Sequence, residues 1–159
     1  MSIKNLLICL GIFMMSPCYA NQMIDKNIII FVSFSMPDES LKGWLREANM
    51  INAPVVVRGF INNSFKKTIN KISALTADNH GGVQIDPTLF QRFHVDKVPA
   101  VVVVKEPNCM PGMSCSLDYD IVYGDVKLSY ALKKIADEED AYSAIAKNAL
   151  TQLGGIKHG

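Results

Sequence analysis

Two short stretches carry residue types able to do chemistry. Cys109 and Cys115 flank MPGMS, a separation that suits a local disulfide or a dithiol that exchanges with other proteins. The other stretch is FVSFSMPDESLKGW, Phe31 to Trp44, which reads as a strand end, a tight corner and the first turns of a helix. The corner holds Ser35, Met36, Pro37 and Asp38. Ser35 suits a helix cap, with Asp38 three residues later completing an S-x-x-D capping box. Pro37 fits the first helical turn, where its missing N–H is no loss. Asp38 and Glu39 complement the helix dipole.

The remaining polar candidates are weaker. His80, His94 and His158 have no zinc-ligand spacing. Asp118, Asp120 and Asp125 surround an expected strand and read as turn ends. Glu138, Glu139 and Asp140 read as a solvated helix face or a charged contact with a partner. There is no Gly-rich phosphate loop, G-x-S-x-G elbow or HExxH. No metal or cofactor is expected.

These groups need a positioned framework, and composition allows one. The chain has 159 residues, 49% apolar and 19% charged, which is ordinary globular composition and room for one domain. Net charge is +1 without a basic block, so nucleic acid is not an expected partner. MSIKNLLICLGIFMMSPCYA has the layout of a secretory signal: Lys4, an apolar run from Leu6 to Met15, and small residues at Cys18 and Ala20. The apolar run of about ten residues is short for a bilayer span. The expected division is therefore a signal peptide at 1–20 and one domain at 21–159, exported to a bacterial periplasm without stable membrane insertion. Cleavage removes Cys9 and Cys18 and leaves Cys109 and Cys115, a pair in an oxidising compartment, for which a disulfide is the default. A structural bridge and a labile or partner-linked one both remain open.

NIIIFVSF, PVVVRGF and VPAVVVVK read as strands buried on both faces. VQIDP reads as a short, marginal strand and YDIVYGD as an antiparallel partner of the strongest one. Leu41, Trp44, Leu45, Ala48 and Ile51 fall at helical spacing. Asn62, Asn63 and Ser64 offer caps for a helix with Phe65, Ile69, Ile72 and Leu75 on one face. Asp86-Pro87 starts a short helix over TLFQRFHV. A final helix begins at Leu128 and either continues through EEDAYSAIAKNALTQL or breaks near the acidic cluster. Residues from about 137 to 159 form a helical extension. The order predicts an α/β fold, a mixed central sheet with helices on both faces.

That order, with KVPAVVVV opening a buried strand after a short helix, resembles the thioredoxin fold. The resemblance places Pro99, after Val98, at a proline that is usually cis and adjoins the corner. It also places Ser35-Met36-Pro37-Asp38 where oxidoreductases carry Cys-x-x-Cys. Both sulfurs are absent, and that chemistry depends on a thiolate at a helix N-terminus. Beside the capping role, the resemblance implies a second one. Ser35, Met36 and Pro37, exposed next to Val98 and Pro99, would form a lip that holds an extended peptide. If the fold holds, Cys109 and Cys115 lie about 20 Å away at the other end of the sheet.

FVSFSMPDESL, PVVVRGF, GVQIDPTLFQRFHVDKVPAVVV and the late cysteine pair together resemble the TrbC family of F-type conjugation pilus assembly proteins, over roughly Asn27 to Ala136. The resemblance implies a periplasmic, non-catalytic component of a type IV secretion system that acts with TraW-like partners. The alternative is a thiol-disulfide oxidoreductase or isomerase using Cys109 and Cys115.

Overall fold

A strand buried on both faces needs apolar side chains pointing both ways, and IIIFV supplies them. Ile28–Val32 forms β1, with all 5 residues buried. The computed structural model describes residues 27–77, 81–105, 117–138 and 140–155. The expected signal segment 1–20, Cys109, Cys115, His80, His158 and Glu139 lie outside those residues.

β2 (Val55–Val57) runs parallel to β1, and β3 (Val83–Ile85) runs parallel to β2. β4 (Ala100–Val104) runs antiparallel to β1, and β5 (Tyr119–Tyr123) antiparallel to β4. The order across the sheet is β3-β2-β1-β4-β5. The sheet is mixed, as expected, and β3 and β5 are its half-buried edges.

Side chains alternate between two cores. Ile28, Ile30, Val32, Val101 and Val103 meet α1 (Asp38–Met50), α4 (Leu128–Asp137) and α5 (Ser143–Gly155) on one face. Ile29, Phe31, Val56, Ala100 and Val102 meet Phe90, Phe93 and Val95 on the other. Those last residues come from α3 (Pro87–Arg92) and the turn after it. The smaller core is aromatic: Phe31 and Phe90 meet edge to face at 4.8 Å, and Phe93 and Tyr119 at 5.1 Å.

Two helix starts follow the sequence. Ser64 accepts from the Lys67 N–H and caps α2 (Phe65–Thr76), while Asn62 and Asn63 take left-handed φ in the turn before it. Asp86 accepts from the N–H groups of Thr88 and Leu89, with Pro87 as the first residue of α3.

The apolar face expected for α2 is corrected. Thr68 and Leu75 are its buried residues, whereas Phe65 is 66% exposed and Ile69 40%. Leu75 joins the larger core, while Phe65 packs edge to face on Phe60 at 5.9 Å.

The last helix breaks. α4 ends at Asp137, and the Asp140 carboxylate accepts from the N–H groups of Tyr142 (2.9 Å) and Ser143 (3.2 Å). An aspartate that satisfies the open donors of a helix start favours a fresh helix over a continued one. Ala146, Ala149 and Leu153 then return α5 to the larger core.

Candidate functional site

β1 ends at Val32, and the chain turns before α1 begins. The Met36 N–H donates to the Ser33 carbonyl at 3.1 Å and closes the turn. The Ser35 N–H donates to Ser33 Oγ at 3.2 Å, and the two hydroxyls lie 2.9 Å apart. The Ser35 hydroxyl thus faces back toward Ser33 and not forward to the helix.

The expected capping box does not form. Asp38 is the first helical residue, where the box needs it third, and Pro37 is the N-cap with no side-chain capping bond. Pro37, placed by sequence inside the first turn, stands just before it and accepts from the Leu41 N–H at 3.0 Å through its carbonyl. Asp38 pairs with Lys71 of α2, and Glu39 lies 3.8 Å from Lys42. These are surface pairs and contribute little stability.

β4 begins beside this corner, because Ala100 is in register with Phe31. The Val98–Pro99 peptide is cis, and the Pro99 carbonyl accepts from the Gly124 N–H at 3.0 Å. Gly124 has φ 125°, a region that a side chain would strain.

A cleft of about 630 Å³ opens at this end of the sheet. Ser33, Ser35 and Val98 line one part of it, and Arg58, Phe60 and Asp96 line another. Phe90 also lines it, and the Arg58 guanidinium stacks over that ring at 4.8 Å while donating to the Val95 carbonyl at 2.6 Å. Phe60 is 45% exposed at the rim. Burial first, and then the Asp96 carboxylate, push the Tyr123 phenol above its ordinary range, so it stays neutral.

Of the residues singled out from sequence, the cleft brings Ser35 and Val98 together. Met36 packs against the larger core, Pro37 starts α1, Asp38 faces α2 and Pro99 ties β4 to the end of β5. Arg58 and Phe60 were missed. The available signal was RGF directly after VVV: a strand parallel to β1 delivers its following residues to the same sheet end.

The cleft residues offer hydroxyls, a guanidinium, a carboxylate and aromatic faces. Among the described residues lining it there is no cysteine or histidine. These groups can donate and accept hydrogen bonds and stack on a ligand. The stem of the Cys109–Cys115 loop leaves from the other end of β4. There Asn27 Nδ2 donates to the Val104 carbonyl at 3.1 Å, and the Lys105 N–H donates to that of Asp118 at 3.3 Å. β4 separates the two ends by roughly 15 Å. The pairing of Cys109 and Cys115 lies outside the described residues.

The other acidic candidates separate into roles. Asp125 accepts from Ser40 Oγ (2.8 Å) and Trp44 Nε1 (3.1 Å), holding the turn before α4 against α1. Glu47 accepts from the Leu128 N–H at 2.7 Å and serves the start of α4. Asp120 lies within β5 and not at a turn end. His94 is exposed, with φ 49°, after α3.

Residues 30–135 match the family model for the type-F conjugative transfer system pilin assembly protein. The chain belongs to this family. It is also similar to "Periplasmic protein TrbC" of Escherichia coli (strain K12), at 40% identity over 116 residues, 72% of this chain and 50% of that relative. The chain therefore spans half the length of the relative. Like it, the chain is periplasmic; no helix among the described residues is long and apolar enough to cross a membrane. No solved structure matches the chain. Every residue lining the cleft falls inside the family match, while α5 falls outside it.

Proposed function

We propose that this chain is a non-catalytic assembly factor of an F-type conjugative system, gripping an extended segment of a partner in the cleft beside Ser35 and Val98. The strand order supports a thioredoxin-like arrangement. The reading is carried by one observation: Ser35 and Asp38 stand at the corner where thioredoxin-like enzymes need two thiols, and the Ser35 hydroxyl is engaged with that of Ser33 at 2.9 Å. A serine hydroxyl stays protonated and forms no disulfide, so only the binding half of such a site is kept. TraW-like periplasmic proteins are the partners we infer, and Cys109–Cys115 acts as a structural bridge.

The test uses the exported protein, a Ser35→Trp variant that fills the cleft, and a Cys109→Ser, Cys115→Ser double variant. The expected result is no insulin reduction by any of the three. Capture of a TraW-like partner from pilus-producing cells is expected with wild type and the double variant, and loss of that capture with Ser35→Trp. Insulin reduction that disappears in the double variant would overturn the reading and make the chain an oxidoreductase.

A further inference from the structure

β2 ends at Val57, and RGF carries the chain out to Phe60. The turn at 61–63 then leads through Ser64 into α2. Three hydrogen bonds fix that turn to the helix. The Ile61 N–H donates to Thr68 Oγ1 at 2.8 Å, and the Thr68 hydroxyl donates to the Ser64 carbonyl at 2.8 Å. The Ser64 N–H donates to the Ile61 carbonyl at 2.9 Å. Thr68 is fully buried, so water does not compete for its two bonds.

This framework holds two aromatic rings in solvent. Phe60 and Phe65 are both exposed, and they pack edge to face on one another. Ile69 is also exposed, one helical turn beyond Phe65 and on the same side of α2. The described residues expose five large hydrophobic side chains, and three of them stand in this one ridge. Exposed apolar side chains gathered in one place and rimmed by polar residues mark an interaction surface.

Charge selects the occupant. Residues 48–77 contain Arg58, Lys66, Lys67 and Lys71 and no Asp or Glu, in a chain of net charge +1. Lys71 pairs with Asp38. Lys66 and Lys67, in the first turn of α2 directly after Phe65, are exposed and form no ion pair among the described residues. A second copy of this chain would set these lysines against their own counterparts. Phe65 and Ile69 stand outside the cleft, whose rim Phe60 lines. A ridge of rings beside lysines on long stems fits a soft surface whose negative charge is spread out.

We propose that Phe60, Phe65 and Ile69, with Lys66 and Lys67, dock the protein reversibly on an anionic lipid bilayer. The rings enter the boundary between headgroups and acyl chains, and the ammonium groups meet the lipid phosphates. The contact is peripheral and needs no membrane span. Because Phe60 also lines the cleft, docking sets the cleft mouth at the bilayer surface. Each lysine at such a surface multiplies binding about 5-fold. Burying most of a Phe ring multiplies it about 10-fold.

The exported protein is sedimented with vesicles of equal parts phosphatidylglycerol and phosphatidylcholine, and with vesicles of phosphatidylcholine alone. Binding to the anionic vesicles is expected to be about 10-fold tighter or more. It should fall between about 0.1 M and about 1 M sodium chloride, as the screening length drops from about 10 Å to about 3 Å. Phe65→Ser should weaken it about 10-fold. The double variant Lys66→Gln, Lys67→Gln should weaken it about 20-fold. All three positions are exposed, so both variants should keep the wild-type urea midpoint. Tyr130→Ser, at a comparably exposed aromatic of α4, should bind as wild type does. Equal binding to the two vesicle types, including none to either, overturns the proposal. So does anionic binding that Phe65→Ser leaves unchanged. Loss of partner capture in Phe65→Ser without any vesicle binding would make the ridge a protein-docking surface and overturns it too.

Discussion

Replacing Asp125 with alanine gives the sharpest view of how α1 is held to the start of α4. The Asp125 carboxylate accepts from Ser40 Oγ and from Trp44 Nε1. Ser40 is half-exposed, and water can replace its bond at little cost. Trp44 is 4% exposed, so its indole N–H loses a charged acceptor with poor access to water. A bond of that kind contributes about 1–2 kcal/mol here, at the lower end of the charged range because Asp125 itself is exposed. With a urea m-value of about 1–3 kcal/mol/M, the unfolding midpoint should fall by roughly 0.3–2 M. Trp44 is the single tryptophan, so its fluorescence follows both the local change and global unfolding. Asp125→Ala should shift the native emission and lower the midpoint at unchanged slope, and Ser40→Ala should lower it less. An unchanged midpoint with unchanged emission would refute the role given to this carboxylate.

Other expected outcomes are narrower. Leu132→Ala removes a side chain with 0% exposure from the larger core and should cost about 2–5 kcal/mol in a urea titration. Burial acts to raise the Asp86 carboxyl, but hydrogen bonds from Thr88, Leu89 and Gln84 outweigh it and hold the group below its ordinary 3.8. Its contribution is then full above pH 3.8 and is lost as pH falls through the lower folded value. Asp86→Ala should therefore cost about 1 kcal/mol at neutral pH, with the gap to wild type closing in acid. Arg58→Met removes an exposed cation from the Phe90 ring; it should cost less than about 1 kcal/mol of stability yet weaken partner capture by the cleft.

The strands were legible because IIIFV and AVVVV are buried on both faces and tolerate no polar interruption. Ser64 and Asp86 were legible as caps because a short acceptor precedes each helix and acts locally. Ser35 was misread for the same local reason: S-x-x-D satisfies the capping pattern, but the Ser33 hydroxyl and the Pro37 N-cap decide the geometry. Phe65 looked like core at helical spacing, yet α2 buries Thr68 and Leu75 and leaves Phe65 exposed beside Phe60. The cleft was half visible, since a corner after β1 and a proline before β4 are sequence features. Arg58 enters through strand direction, which pattern alone does not assign.

Site-specific photo-crosslinking at position 35 in pilus-producing cells tests the central claim most directly. A crosslinker there should trap a periplasmic partner in high yield, while one at Asn148 on α5 should not. Trapping at neither position, or partner adducts that form only through Cys109 or Cys115, would contradict a cleft that binds without sulfur chemistry.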